Sequence, residues 1–176
     1  MSSSSLRRAA RRRPKNPLTP HEESEAKRIL LGRPGYLIRR LNQIHYALFF
    51  EECGHENITP VQYGVLTAVQ HRPGIDQTEI SLYLGLDRTT TADVVRRLES
   101  KGLLSREVDE QDRRARKVAL TPAGQQITDE LYAGMIAASE RLLEPLSPKK
   151  REQFLALMGE LVNANDAYGR GRQSRV

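Results

Sequence analysis

The sequence predicts a mainly α-helical fold carrying one small β-hairpin. Three observations predict it. Apolar residues recur at helical spacing along most of the chain, helix starts are spelled out by capping residues and prolines, and one stretch around 104–120 switches to alternation. A length of 176 residues suits one domain, and 28% charged against 38% hydrophobic residues is the profile of a soluble globular protein. No apolar run approaches the ~18 residues of a membrane-spanning helix. The N-terminal arginines have no hydrophobic segment behind them, so they do not read as a secretory signal. A single cysteine excludes an intramolecular disulfide framework and a cysteine-based zinc finger. A cytoplasmic protein is expected, with no membrane partner.

Residues 1–17 are rich in Ser, Arg and Pro and are expected to be disordered. They read either as a solvated tail or as a basic arm for DNA phosphates or the minor groove. From Thr19 the chain reads as helices in one protomer over 18–168. Thr19-Pro20-His21-Glu22 is a capping box opening a short helix that ends near Gly32. The next helix runs from about Pro34 to Gly54, with Leu37, Leu41, Ile44 and Leu48 at helical spacing. Thr59-Pro60-Val61-Gln62 is a second box, backed by Val65, Leu66 and Val69, and Arg72-Pro73-Gly74 ends that helix. Asp76-Gln77-Thr78-Glu79 is a third, and Ile75 with Ile80 fits a hydrophobic staple. That short helix stops at Gly85. Asp87 caps another, with Val95 and Leu98 inward and Lys101-Gly102 as its exit.

Only about two residues separate these last helices, the spacing of a helix-turn-helix. Leu104, Arg106 and Val108 then alternate, as do Val118 and Leu120, around a charged stretch at 109–116. This reads as two short strands joined by a long charged loop. Thr121-Pro122 starts a long helix with Ile127, Leu131, Met135, Ala138 and Leu142 on one face, broken by Pro145. Ser147-Pro148 starts the last. The order gives a winged helix-turn-helix at about 58–121, flanked by helices at about 20–54 and 122–167. A basic tail follows at 169–176.

Charge supports a nucleic-acid partner only locally. Nine of the 28 basic residues lie in 1–17 and 169–176, which leaves 19 against 22 acids, so 18–168 is net −3. Within it, residues 86–118 hold nine basic against seven acidic residues, a modest local excess on the predicted reading head.

These residues resemble the MarR (multiple antibiotic resistance regulator) family of bacterial transcription regulators. The family's wing signature, Asp-x-Arg, five residues, then Leu-Thr, stands as Asp112-Arg113-Arg114, five residues, then Leu120-Thr121-Pro122-Ala123-Gly124. The stretch from Leu86 to Thr91, continued by Arg97-Leu98-Glu99-Ser100-Lys101-Gly102-Leu103-Leu104, is similar to the family's recognition helix and exit. The resemblance covers roughly 33–166.

A recognition helix offers its first residues to base edges in the major groove. Arg88, Thr89, Thr90 and Asp93 lie there, while Thr91 faces either the groove or the core. Arg pairs with guanine, and Thr contacts a thymine methyl or hydrogen-bonds. Arg96 and Arg97 lie further along, at phosphate-contact positions. The resemblance implies that Arg114 at the wing tip enters the minor groove, where the negative potential of narrow DNA favours arginine. Asp112 then serves to aim a neighbouring arginine, and Arg113, Arg116 and Lys117 supply phosphate contacts. A wing that is only a charged solvated loop is the alternative.

One helix-turn-helix contacts too little DNA to select a genomic site. A homodimer reading a pseudo-palindromic operator in double-stranded DNA is therefore expected. The resemblance puts the first and last helices in the dimer interface, with Leu142, Leu143, Leu146, Phe154, Leu157, Met158 and Leu161 as candidates. Some of these are equally readable as intrachain core.

The resemblance also implies a switch in which a small aromatic or phenolic acid binds between the dimer helices and the reading head. Tyr36, Tyr46, Phe49, Phe50 and Tyr63 fall between 36 and 63, with Arg39, Arg40 and His45 among them. A pocket of Tyr36, Arg39, Arg40, His45, Phe49 and Tyr63 is one reading, since arginine holds a carboxylate well. Rings in the core with arginines at the surface is the other. The runs Arg33–Arg40 and Ile58–Tyr63 are similar to regulators of aromatic-acid catabolism.

A peroxide-sensing branch of the family carries a cysteine where this chain has His45, which argues against that mechanism. Cys53 with Glu51, Glu52, His55 and Glu56 leaves a metal- or redox-responsive regulator as an alternative, although Cys-Gly-His matches no strong zinc pattern. A non-specific architectural DNA-binding protein is a second alternative. Nothing indicates an enzyme or a cofactor. The chain has no glycine-rich phosphate loop, no nucleophile elbow, and only four scattered histidines, His21, His45, His55 and His71.

Overall fold

A helix leaves its first amide groups unpaired, and residues that satisfy them decide where it begins. The computed structural model describes residues 20–54, 57–108 and 116–170. Its first helices are α1 (Pro20–Leu31) and α2 (Pro34–Cys53). Thr59 opens α3 (Pro60–His71) as a two-way capping box. Gln62 N donates to Thr59 Oγ1 at 3.2 Å, and Thr59 N donates to Gln62 Oε1 at 3.1 Å. Asp76 and Glu79 do the same for α4 (Gln77–Leu84), at 2.7 and 2.9 Å. Asp87 opens α5 (Arg88–Ser100). Strand β1 (Leu104–Val108) pairs antiparallel with β2 (Arg116–Leu120), Leu104 opposite Leu120 and Val108 opposite Arg116. The chain ends in α6 (Pro122–Leu143) and α7 (Pro148–Arg170). The Thr19 cap, the basic arm, His55, Glu56, the wing tip and the tail from 171 lie outside the described residues.

The chain divides into two units, Met1–Leu41 and Asn42–Val176. In the first, Ile29, Leu30, Leu31, Leu37 and Ile38 are exposed, and the Arg39 guanidinium lies 5.3 Å from the centre of the Tyr36 ring. The second is built on one core. Val65 and Leu66 from α3, Ile80 from α4, Val95 and Leu98 from α5, Val118 from β2 and Leu131 from α6 are buried together with Ile58 and Phe49. Each large side chain contributes about 1.5–3 kcal/mol on burial.

Two close approaches lock α6 onto this core. A Cβ on Gly124 would lie 2.0 Å from Leu103 O, and one on Gly134 would lie 2.6 Å from Cys53 Sγ, so only glycine lets the backbones come so near. Thr128, buried at the same face, is satisfied by donating from Oγ1 to Gly124 O at 2.6 Å.

The apolar row of α2 differs from expectation. Leu37 and Ile44 are exposed and Leu48 only packs against the core's edge, while Phe49 and Cys53 are the buried residues of this helix. The crossing at Gly134 brings α6 against Cys53 in the last turn of α2, and Phe49 packs on Tyr63 of α3. Arg141 of α6 fastens the same end, bonding Glu51 Oε2 at 2.8 Å and also Glu52. Among the described residues no helix is long and apolar enough to cross a membrane.

Candidate nucleic-acid interface

Between α4 and α5 the chain spends three residues. Gly85 takes φ +64°, a conformation in which a Cβ is strained, and turns the chain sharply. Ser81 Oγ donates to Leu86 O at 2.7 Å and Leu86 N donates to Ser81 O at 3.0 Å, which pins the turn to α4. Asp87 then caps α5. Thr90 N donates to its Oδ1 at 2.8 Å and Thr90 Oγ1 to its Oδ2 at 2.5 Å. These Thr90 bonds, the hydroxyl's first, hold the Asp87 carboxyl below its usual range.

α5 has two opposed faces. Thr91, Val94, Val95 and Leu98 are buried, and Thr91 Oγ1 donates to Asp87 O at 2.9 Å. Thr91 is thus a core residue, one of the two options left by the sequence. Arg88, Thr89 and Thr90 stand exposed on the first turn, with Arg96 and Arg97 exposed further along. Asp93 lies between them at the same surface. Its Oδ1 pairs with Arg96 and its Oδ2 with Arg97 Nε at 2.7 Å.

The hairpin is fixed to this head on both sides. Val118 N donates to Ile75 O at 3.0 Å, so the segment leading into α4 lies along β2 beside Lys117. Arg106 of β1 pairs with Glu99 of α5 at 3.3 Å. Thr121 closes the base. It donates from N to Leu103 O at 3.1 Å and from Oγ1 to Gly102 O at 2.6 Å, and it accepts from Gly124 N at 3.0 Å. Lys117 is half-buried in β2 and Arg116 begins the strand, while Asp112, Arg113 and Arg114 lie outside the described residues.

Behind the reading head a groove of about 240 Å³ is lined by Asn42, His45 and Tyr46 of α2, Pro60, Val61 and Gly64 of α3, and Leu84 and Leu86 at the turn. Of the six residues expected to form an effector pocket, His45 lines it. Phe49, 1% exposed, and Tyr63, 7% exposed, are core, their ring centres 6.0 Å apart. Phe49 stands behind His45 at 6.4 Å, so these two rings form a second layer rather than a lining. Tyr36, Arg39 and Arg40 belong to the first unit. Asn42 has no place in the sequence-derived pocket, and Tyr46 stands in the aromatic cluster but not among the six pocket residues, although 42, 45, 46 and 49 share one helix face. Leu84 and Leu86 carry no local signal of a ligand site.

Burial first, then the charge of Glu52, pushes the Cys53 thiol up. Its Sγ faces Leu131 O at 3.8 Å. Such a thiol is protonated at neutral pH and is a poor nucleophile or metal ligand. Among the described residues no group of three or more His, Cys, Asp or Glu side chains could hold a metal ion.

The model of the MarR family matches residues 56–115, from the approach to α3 past β1, stopping just before β2. The transcriptional regulator HosA of Escherichia coli is 32% identical over 77% of this chain and 98% of its own length. The chain belongs to the MarR family. Other MarR-like folds agree. The PcaV transcriptional regulator of Streptomyces coelicolor, solved in complex with its natural ligand, superposes with a TM-score of 0.69 at 34% identity, covering 77% of this chain and 95% of that one. BpsR of Bordetella bronchiseptica, whose DNA binding is regulated by 6-hydroxynicotinic acid, superposes with a TM-score of 0.70 at 26% identity, covering 74% and 93%. The protein is therefore a winged-helix transcriptional regulator of the MarR type, and its α5 and hairpin are the elements that define that architecture.

Proposed function

We propose that this chain is a homodimeric cytoplasmic repressor, released from a pseudo-palindromic operator by a small aromatic acid. Arg88, Thr89, Thr90 and Asp93 of α5 meet base edges, and Arg96, Arg97, Arg116 and Lys117 approach phosphates. Arg113 joins the phosphate contacts, and Arg114, aimed by Asp112, enters the minor groove. The dimer face takes Leu142, Leu143, Leu146, Phe154, Leu157, Met158 and Leu161. Of these, Leu157 and Leu161 are exposed in the single chain and the others half-buried.

The observation that carries the reading is where the groove ends. Its wall includes Leu84 and Leu86, which flank Gly85 and lead directly into the Asp87 cap of α5. A ligand pressed against these leucines acts on the start of the recognition helix. It shifts the DNA equilibrium by its differential affinity for the two states. The lining suits a single aromatic ring: apolar walls from Pro60, Val61, Leu84 and Leu86, with Asn42, His45 and Tyr46 as polar groups for a carboxylate or ring hydroxyl. BpsR, regulated by 6-hydroxynicotinic acid, supplies the analogy for a ligand of this class, and PcaV the analogy for a regulator that binds a natural ligand.

The test is in vitro selection from a random duplex library, followed by fluorescence anisotropy of the recovered duplex with benzoate, hydroxybenzoates, nicotinate and hydroxynicotinates. A two-fold symmetric consensus, a preference of about 10³ or more over scrambled DNA, and release by one acid are expected. His45→Ala should weaken release without weakening DNA binding. Binding that ignores sequence and falls only with salt would establish an architectural protein instead.

A further inference from the structure

We propose that Asp93 is a specificity-determining residue of the reading head, withholding Arg96 and Arg97 from DNA that does not match. This rests on the reading that α5 enters the major groove. Asp93 sits at i−3 to Arg96 and i−4 to Arg97, and each of its oxygens takes one guanidinium group. The arginine side chains are 73% and 65% exposed and that of Asp93 34%, so the fork stands at the surface that would face DNA. An exposed pair of this kind adds little to the stability of the fold. Its consequence lies in what a polyanion meets.

Without Asp93, two arginines would be available to phosphates of any sequence. Each neutralised phosphate adds about 0.9 to the salt slope of binding and strengthens non-specific association. With Asp93 in place, the three side chains carry a net charge of +1. To reach phosphates the arginines must leave a carboxylate that then faces the backbone unpaired, a repulsive element of the kind that separates partners.

Matching DNA removes the penalty by offering Asp93 a donor. The cytosine N4 amino group in the major groove is one, and a carboxylate accepts from it. Thr90 points the same way. Its hydroxyl proton is committed to Asp87, so what it offers a base is an acceptor and a methyl group. Thr90 and Asp93, three residues apart on the helix, therefore both suit base edges that carry exocyclic amines. The hydrogen bond from Arg96, then the charge of Arg97, holds the Asp93 carboxyl below its usual range, so it stays ionised at neutral pH.

The test uses the full chain, the duplex recovered by selection with the wild-type protein, and a scrambled duplex of equal composition. Binding of wild type, Asp93→Asn and Asp93→Glu is measured over a salt series. Asp93→Asn should bind the scrambled duplex about tenfold more tightly, with a salt slope steeper by about 1 to 2. Its ratio of selected to scrambled affinity should fall about tenfold. Asp93→Glu, which keeps the charge, should retain most of that ratio. If Asp93→Asn changes both affinities in proportion and leaves the ratio unchanged, or if Asp93→Glu loses the ratio as fully, the proposal is overturned. A wild-type selection that enriches no sequence would instead overturn the DNA-reading function itself, before any variant is compared.

Discussion

Helices α5 and α7 are both amphipathic, but they spend their apolar faces differently. In α5, Thr91, Val95 and Leu98 disappear into the core of the chain and leave a polar face outward. In α7 none of the described side chains is buried, and Leu155, Leu157, Leu161 and Val162 are all more than half exposed. A surface helix normally faces its apolar side inward. The apolar face of α5 is used up within the chain, whereas that of α7 is left uncovered among the described residues. The homodimer proposed above supplies the cover, and a contiguous exposed apolar patch is the mark of such a site.

The contrast can be broken at either end. The largest effect is expected from Leu98→Ala, which empties a fully buried position of α5. It should cost about 2–5 kcal/mol in denaturant unfolding, whatever the protein concentration. Leu161→Glu should leave the protomer folded but raise the dimer dissociation constant by roughly 100-fold, since a two-fold interface meets the change twice. Sedimentation at several concentrations reads this directly, and a dimer that survives intact would remove α7 from the interface. Gly134→Ala, forcing a methyl against Cys53 and the Glu52 carbonyl, should cost about 1–3 kcal/mol in the same unfolding assay.

Smaller still is the cap. Asp87→Ala should lower Tm by a few degrees at neutral pH. Because the folded carboxyl of Asp87 is held below its unfolded pKa, its charge stabilises above the unfolded value, and that contribution is lost as pH falls through the folded one. Melting curves of the variant and wild type should therefore converge in acid. The smallest effect concerns Cys53, which should react with a thiol reagent only about as fast as the protein unfolds. Rapid labelling of the native protein would reopen a redox role.

Local chemistry was the legible part. The caps at Thr59, Asp76 and Asp87 announce themselves because a side chain bonds an amide three residues away. The turn at Gly85 and the alternation of 104–108 and 116–120 are equally short-range. What sequence periodicity cannot say is which row of a helix another helix will cover. The spacing from Leu37 to Leu48 marks an apolar row on α2, yet the buried residues of this helix are Phe49, packed on Tyr63 of α3, and Cys53, under Gly134 of α6. The same cause explains the effector reading. Aromatic residues clustered between 36 and 63 reveal a cluster, but only packing separates His45, which lines the groove, from Phe49 and Tyr63 behind it. Arg141 meets Glu51 and Glu52 from about ninety residues away, and Arg106 reaches from strand to helix to meet Glu99, so no helical spacing rule finds either pairing.

Thr121 has a mechanical consequence. Its three hydrogen bonds gather the exit of the recognition helix, the root of the hairpin and the first turn of α6 at one point. That point is a clasp. Because α6 is itself seated on the core at Gly124 and Gly134, the recognition helix, the wing and the 22 residues of α6 form one mechanical piece, and a displacement applied anywhere along α6 reaches helix and wing together.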